Sequence, residues 1–355
     1  MPFNNPTPTT RRRFLASFLS LAAAPAKGMP LFGKQRARDL GKVYEYLKDA
    51  DLRIKEIGRQ RITIKNIIFS NEEFRGAWGY LDFVDCKFTG QGFIRLNWLV
   101  NCTFTNCHFS GFFEFGNAKN VKFINSTVHG ERSILGFSDG DTGPIFDGCK
   151  FINPDYDHNQ EWGILCDGDV LFIDCKAKGF VLEGDKKLTL RRCTTEIVRL
   201  GTAYPGAYSD KSQMPYSDFL LEDCDFTRGV DATNLELNSF TLRNCKVGIF
   251  ETERSVVRGD MLIENIKEGH LDLSRTDFQG KLTVRNCSFF RLHDGHCFWC
   301  PSVVVPHTLI ENVVCGTDPA NISGFTNKMT EEKRLPVTKN KSTIIRDCHI
   351  PHLHL

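Results

Sequence analysis

The sequence predicts an all-β chain: a right-handed parallel β-helix of about 13 coils behind an N-terminal capping helix. Three observations lead there. The first is a phrase written thirteen times, with two apolar residues spaced two apart, a turn residue that is usually Asn or Asp, then Cys, then another apolar residue two further on. Leu81, Phe83, Asp85, Cys86 and Phe88 spell it, as do Phe240, Leu242, Asn244, Cys245 and Val247. The second is the period. With the Cys slot as anchor, the series runs Ile67, Cys86, Cys107, Ser126, Cys149, Cys175, Cys193, Cys224, Cys245, Ile266, Cys287, Val313, Cys348, and from Cys224 to Cys287 the step is strictly 21 residues. A fixed period near 20 marks a solenoid, in which no unit buries its apolar face until a neighbour stacks on it. The third is a further short apolar pair between anchors, such as Val198 and Leu200 or Leu271 and Leu273, which supplies a third strand per unit.

Residues 1–26 read as a signal peptide. Thr10-Arg11-Arg12-Arg13-Phe14-Leu15 resembles the twin-arginine export motif, and the apolar stretch from Phe14 to Ala24 ends in Ala24-Pro25-Ala26, a small-x-small cleavage pattern. An ordinary signal peptide or a basic tail is the alternative. Residues 27–60 form an N-terminal segment in which Leu40, Val43, Tyr44 and Leu47 share one helical face. That helix is expected to cap the first coil, because the open end of a β-helix is a sheet edge that must be covered. No later apolar run is long enough to span a bilayer, so the mature chain is expected to have no transmembrane segment and to be periplasmic or secreted. Removing the three arginines of the signal from 45 Lys+Arg leaves 42 against 43 Asp+Glu. That balance, with no basic stripe along the chain, offers nothing to nucleic acid.

Residues 61–355 are the β-helix. Alternation of period two places the apolar residues of each phrase on one strand face, and the Asn or Asp pivot tolerates the left-handed backbone of a tight corner. With Asn at the corner between the second and third strands, the chain resembles the pectate-lyase-like superfamily of right-handed parallel β-helices. The resemblance implies the fold. It leaves activity open, since tailspikes and adhesins share that fold.

Fourteen cysteines in an exported protein suggest a disulfide framework, but their positions point elsewhere. Nine occupy the anchor slot, and Cys102, Cys166 and Cys315 fall on inward apolar slots, so these twelve read as a ladder of small core residues. Cys297 and Cys300 stand apart in His293-Asp294-Gly295-His296-Cys297-Phe298-Trp299-Cys300, which suits a loop disulfide, plain thiols, a metal site or a redox dithiol.

Residues 153–161, 201–216, 294–306 and 317–341 break the period. Three of these loops flank the first-strand sheet, and the resemblance implies that loops on that sheet wall an active-site groove. Aligning coils by their anchors assigns Arg199, Glu236, Glu251, Asp272 and His293 to one outward column there, with Tyr204 and Tyr208 in an adjacent loop. Coils stack about 4.8 Å apart. Glu251 and Asp272 would then stand near the roughly 5 Å of a retaining glycosidase pair, and Glu236 and Asp272 near the roughly 10 Å of an inverting one. A solvated charged face is the competing reading. Asp141, Asp167 and Asp185 lie eight residues before successive anchors, each beside Gly, and read either as turn chemistry or as a carboxylate ladder for Ca2+.

Of the polygalacturonase motifs only Gly269-His270 and Asp294-Gly295-His296 come near, and they are not that set; no Arg is placed over the Asp cluster as the catalytic Arg of pectate lyases would be. The overall form is also similar to accessory β-helix proteins of bacterial exopolysaccharide clusters of the colanic-acid type. The expected function is therefore exported polysaccharide binding or modification in envelope or exopolysaccharide assembly, as a glycoside hydrolase or polysaccharide lyase if it is an enzyme. Polysaccharide and, during export, the twin-arginine translocase are the expected partners. The alternative is a structural or adhesive β-helix without catalysis.

Overall fold

The computed structural model describes residues 61–69, 77–129, 135–138, 143–152, 163–166, 169–184, 187–200, 217–290, 298–299, 305, 307–316 and 342–349. The expected signal peptide, the capping helix, and the loops at 153–161, 201–216 and 317–341 lie outside these residues. Within them every element is a strand and every pairing is parallel. That is the pattern of a parallel β-helix, whose strands pair from one coil to the next.

Three ladders run along the molecule. The second-strand ladder passes from Ile62–Lys65 to Leu81–Val84 and Thr103–Thr105, and on to Lys281–Arg285, His307–Glu311 and Ser342–Arg346. The third-strand ladder follows each anchor, as in Lys87↔His108, Lys150↔Lys176 and Lys246↔Lys267. The first-strand ladder precedes the next second strand, as in Val198↔Val230, Val230↔Phe250 and Phe250↔Leu271.

The corner between second and third strands has one backbone solution. Asn66, Asp85, Asn106, Asn125, Asp174, Arg192, Asp223, Asn244, Asn265, Asn286, Asn312 and Asp347 all take φ between 47° and 56°, and Gly148, just before Cys149, takes 63°. Asn and Asp populate this left-handed region at least cost among residues bearing a Cβ. Their side chains then bond along the corner: Asn265 Nδ2 donates to Asn244 Oδ1 at 2.7 Å and Asn312 Nδ2 to Asn286 Oδ1 at 3.0 Å. Arg192, the least expected residue there, donates to both oxygens of Asp174 at 2.8 Å.

The interior is built from matched columns. Phe83, Phe104, Phe123, Phe146 and Phe172 stack at 4.7–4.9 Å between centroids, close to the spacing of the coils. Phe69, Phe88 and Phe109 form a second stack that meets the first edge-on. From Leu190 onward the first column turns aliphatic, through Leu221, Leu242, Ile263, Val284 and Ile310, all buried.

Eleven cysteines have described side chains, all free thiols; ten are buried and Cys348 is partly so. The anchor thiols do more than fill space. Cys245 Sγ donates to Leu221 O at 3.5 Å and Arg243 O at 3.1 Å, and Cys175 Sγ to Phe146 O and Ile173 O at 3.4 and 3.3 Å. Ser126 makes the same two bonds to Phe104 O and Ile124 O, which explains its place in the series. Cys297 and Cys300 lie outside the described residues.

Two outward columns separated by one corner contrast in charge. On the second strand, Arg191, Glu222, Arg243, Glu264, Arg285, Glu311 and Arg346 are direct register partners in succession. Ion pairs join Arg191 to Glu222 at 2.9 Å and Arg285 to Glu264 at 2.6 Å, with Arg243 also on Glu222 and Arg346 on Glu311. On the third strand, Lys87, His108, Thr127, Lys150 and Lys176 occupy consecutive coils. The sequence reading found no basic stripe because these residues are a whole coil apart along the chain, and only stacking lines them up.

Candidate functional site

The first-strand sheet holds the strongest concentration of carboxylates in register. Arg199 pairs with Asp231, Asp231 with Glu251, Glu251 with Asp272, and Asp272 with Trp299. Arg199, Glu251 and Asp272 therefore share the column expected of them. Glu236 does not. It pairs with Val256, which pairs with Asp277, on a short strand beyond the next corner. Asp231 takes its place.

One inserted residue hides Asp231 from a count along the chain. Phe226 to Val230 spans four residues where Val247 to Phe250 spans three, and the register shifts between Phe226 and Gly229. The inward pair flanking the column residue is then Val230 and Ala232, both buried, and not Leu235 and Leu237. Ala232 is small and weakly apolar, so the pattern hid it. Glu236 is also not exposed: it is 7% accessible and its Oε1 accepts from Arg258 Nε at 2.6 Å. A carboxylate so enclosed is held by its cation as part of the fold.

Each carboxylate sits at the start of a repeated corner. Asn234, Arg254 and Arg275 follow three residues later, at φ 55–59°. Asp231 Oδ1 accepts from Thr233 N at 3.1 Å and Thr233 Oγ1 at 2.8 Å, and Asp272 Oδ1 accepts from Ser274 N at 2.8 Å. These bonds orient both carboxylates. Asp231 Oδ2 lies 3.8 Å from Arg199 Nε, so the Arg199 end of the line is neutralised, while Glu251 and Asp272 stand in succession beyond it.

A second outward line runs beside the column through Ile197, Gly229, Ile249 and His270. At Gly229 a Cβ would come 2.0 Å from Ile249 O, so the two coils meet there without a side chain. His270 shares the face of Asp272 by its two-residue offset and is 2% accessible. Sequence reasoning missed His270 as a member of this face, although parity from Asp272 would have found it. Asp231 required the register.

Tyr204, Tyr208 and His293 lie outside the described residues, as do Asp141, Asp167 and Asp185, so the expected loop aromatics and calcium ladder are not placed. Trp299 occupies the column position next to Asp272, where His293 was expected. Among the described residues no three His, Cys, Asp or Glu side chains are grouped to hold a metal ion. No described helix is long and apolar enough to cross a membrane. Comparison with models of protein families, with curated proteins and with solved structures finds no match.

Proposed function

We propose that this chain is an exported polysaccharide-binding or polysaccharide-modifying protein that uses the first-strand sheet, and that it acts in the periplasm or outside the cell in envelope or exopolysaccharide assembly. The observation that carries the proposal is the unbroken register column Arg199, Asp231, Glu251, Asp272. A line of oriented acceptors repeating at about 4.8 Å suits an extended, hydroxyl-rich polymer laid along the helix axis. Like charges on adjacent strands oppose one another, so a site that profits from them outweighs a cost that a mixed surface avoids.

The finer architecture belongs to the same reading: a right-handed helix of about 13 coils, capped by the helix of residues 38–50 and delivered by the twin-arginine signal. If the bound glycan is turned over, Glu251 and Asp272 are the pair at retaining separation, about 5 Å, one as acid and one as nucleophile. Glu236 is withdrawn from that role by its burial against Arg258.

A structural or adhesive rod is the second reading, and a specific observation favours it: the turn bonds of Asp231 and Asp272 occupy one oxygen of each carboxylate. The experiment is a glycan-array screen of the mature protein against a Glu251→Gln, Asp272→Asn double variant. Glycan binding by the wild type that falls at least roughly tenfold in the variant, with unchanged melting, supports the site; a drop of that size corresponds to about 1.4 kcal/mol. Equal binding by both proteins, or none by either, leaves the rod.

A further inference from the structure

We infer that the third-strand face of the first coils is a docking surface for an extended anionic polysaccharide carrying one acidic group per sugar, held by the ammonium groups of Lys87, Lys150 and Lys176 with His108 between them. The inference stands on this face alone and does not depend on the carboxylate column. Lys87, His108, Thr127, Lys150 and Lys176 are successive register partners, so four coil rises of about 4.8 Å place the line over about 19 Å. No acid interrupts the line over these coils. Lys87, Lys150 and Lys176 are exposed, and among the described residues none of the three has a salt bridge.

Two of the three acids at the neighbouring corner are already engaged, and the third, Asp147, is exposed there. Asp85 Oδ1 accepts from Asn106 Nδ2 at 3.3 Å, and Asp174 binds Arg192. The crowding registers on His108, whose pKa is lowered by burial first and then by His129 and Lys87. Lys150 facing Lys176 directly is the unfavourable arrangement on adjacent strands. The same molecule shows the opposite solution on its second strand, where Arg and Glu alternate through seven coils and cancel locally. An uncancelled line beside a cancelled one is what an external polyanion would compensate.

Geometry selects the occupant. The line is narrow and follows the stacking of the coils, and a linear sugar chain advances by about one coil rise per pyranose, so its acid groups stay over the lysines. The phosphates of duplex nucleic acid wind around an axis at one per about 1.7 Å of length and leave such a line after a short contact. An anionic lipid surface needs a broad basic patch. Here the adjacent outward positions Thr89, Ser110 and Ile152 are uncharged, and only His129 and Lys178 add basic groups beside the line, which falls short of a broad patch.

The test is calorimetric titration of the mature full chain with alginate oligomers, at two salt concentrations, beside a Lys87→Gln, Lys150→Gln, Lys176→Gln triple variant. Neutral dextran oligomers, duplex DNA and vesicles of anionic phospholipid are the comparison ligands. The expected result is alginate binding that weakens with salt. The triple variant should lose roughly tenfold in affinity, the scale set by three solvent-exposed charge contacts, at an unchanged melting temperature. Lys281→Gln, which removes an exposed cation from a second strand, should keep wild-type alginate affinity, which ties the effect to this face. Alginate binding unchanged in the triple variant, absent in the wild type, or no stronger than binding to DNA or vesicles, overturns the inference.

Discussion

At the residue scale the anchor position is the most informative in the chain, because it combines burial with a pair of hydrogen bonds. A thiol there meets two carbonyls, one from its own second strand and one from the preceding coil, as at Cys245 and Cys287. Burial pushes the Cys287 and Cys102 thiols up to about 12. Since the thiolate is the nucleophile, buried protonated thiols are inert. Cys224, Cys245 and Cys287, each no more than 3% accessible, are expected to resist iodoacetamide in the native protein and to react only in denaturant, as mass spectrometry of labelled peptides would read; rapid native labelling would remove the ladder. Cys245→Ser should change stability by no more than about 1 kcal/mol, because Ser126 already fills this slot with the same two bonds. Cys245→Asp should cost on the order of 3 kcal/mol or more, since a carboxylate would be buried facing two carbonyl oxygens. Chemical denaturation of the two variants separates these outcomes.

At the scale of the element, a strand here is stabilised chiefly by its neighbours in the adjacent coils. The second strands show this in their side-chain columns, with aromatic stacks in the first coils and aliphatic ones in the later coils. Outside, the seven-residue alternation of Arg and Glu makes each strand a partner of opposite sign to the strands above and below. Glu222 bonds both Arg191 and Arg243, and its side chain is 15% accessible. Glu222→Lys would set three cations in a row. It is expected to cost about 1 kcal/mol, because the arginines remain half exposed and solvent screens them. Replacing Arg243 by Glu as well, which restores an opposite charge beside Lys, should recover part of the loss. A double-mutant cycle in urea would measure the coupling, and additive effects would mean that the column is ornamental to stability.

At the scale of the whole molecule, export and folding are linked through the thiols. The proposed twin-arginine route carries folded proteins, so the ladder would be buried before it reached an oxidising compartment. Lys at both Arg11 and Arg12 should hold precursor in the cytoplasm, read by immunoblot of periplasmic fractions. Unchanged periplasmic yield in a strain lacking that translocase would assign export to the general secretion route. Much of the architecture was legible in the sequence because its determinants are short-range. Apolar alternation, the left-handed corner at Asn or Asp and the buried anchor recur within a few residues of one another, so the strands, the corner and the inward thiols follow from local pattern. The columns do not, because a column joins residues 18 to 35 positions apart whose alignment depends on every residue in the intervening coil. One extra residue between Phe226 and Val230 sets Asp231 seven residues after its anchor, where Glu251 and Asp272 stand six after theirs, and so hid it from a count along the chain. The same dependence hid the lysine line and the Arg–Glu alternation, whose members are scattered along the chain. Sequence alone determined what each coil is made of; the tertiary structure decided which surface residues face one another, because register is set where coils stack and not where they are written.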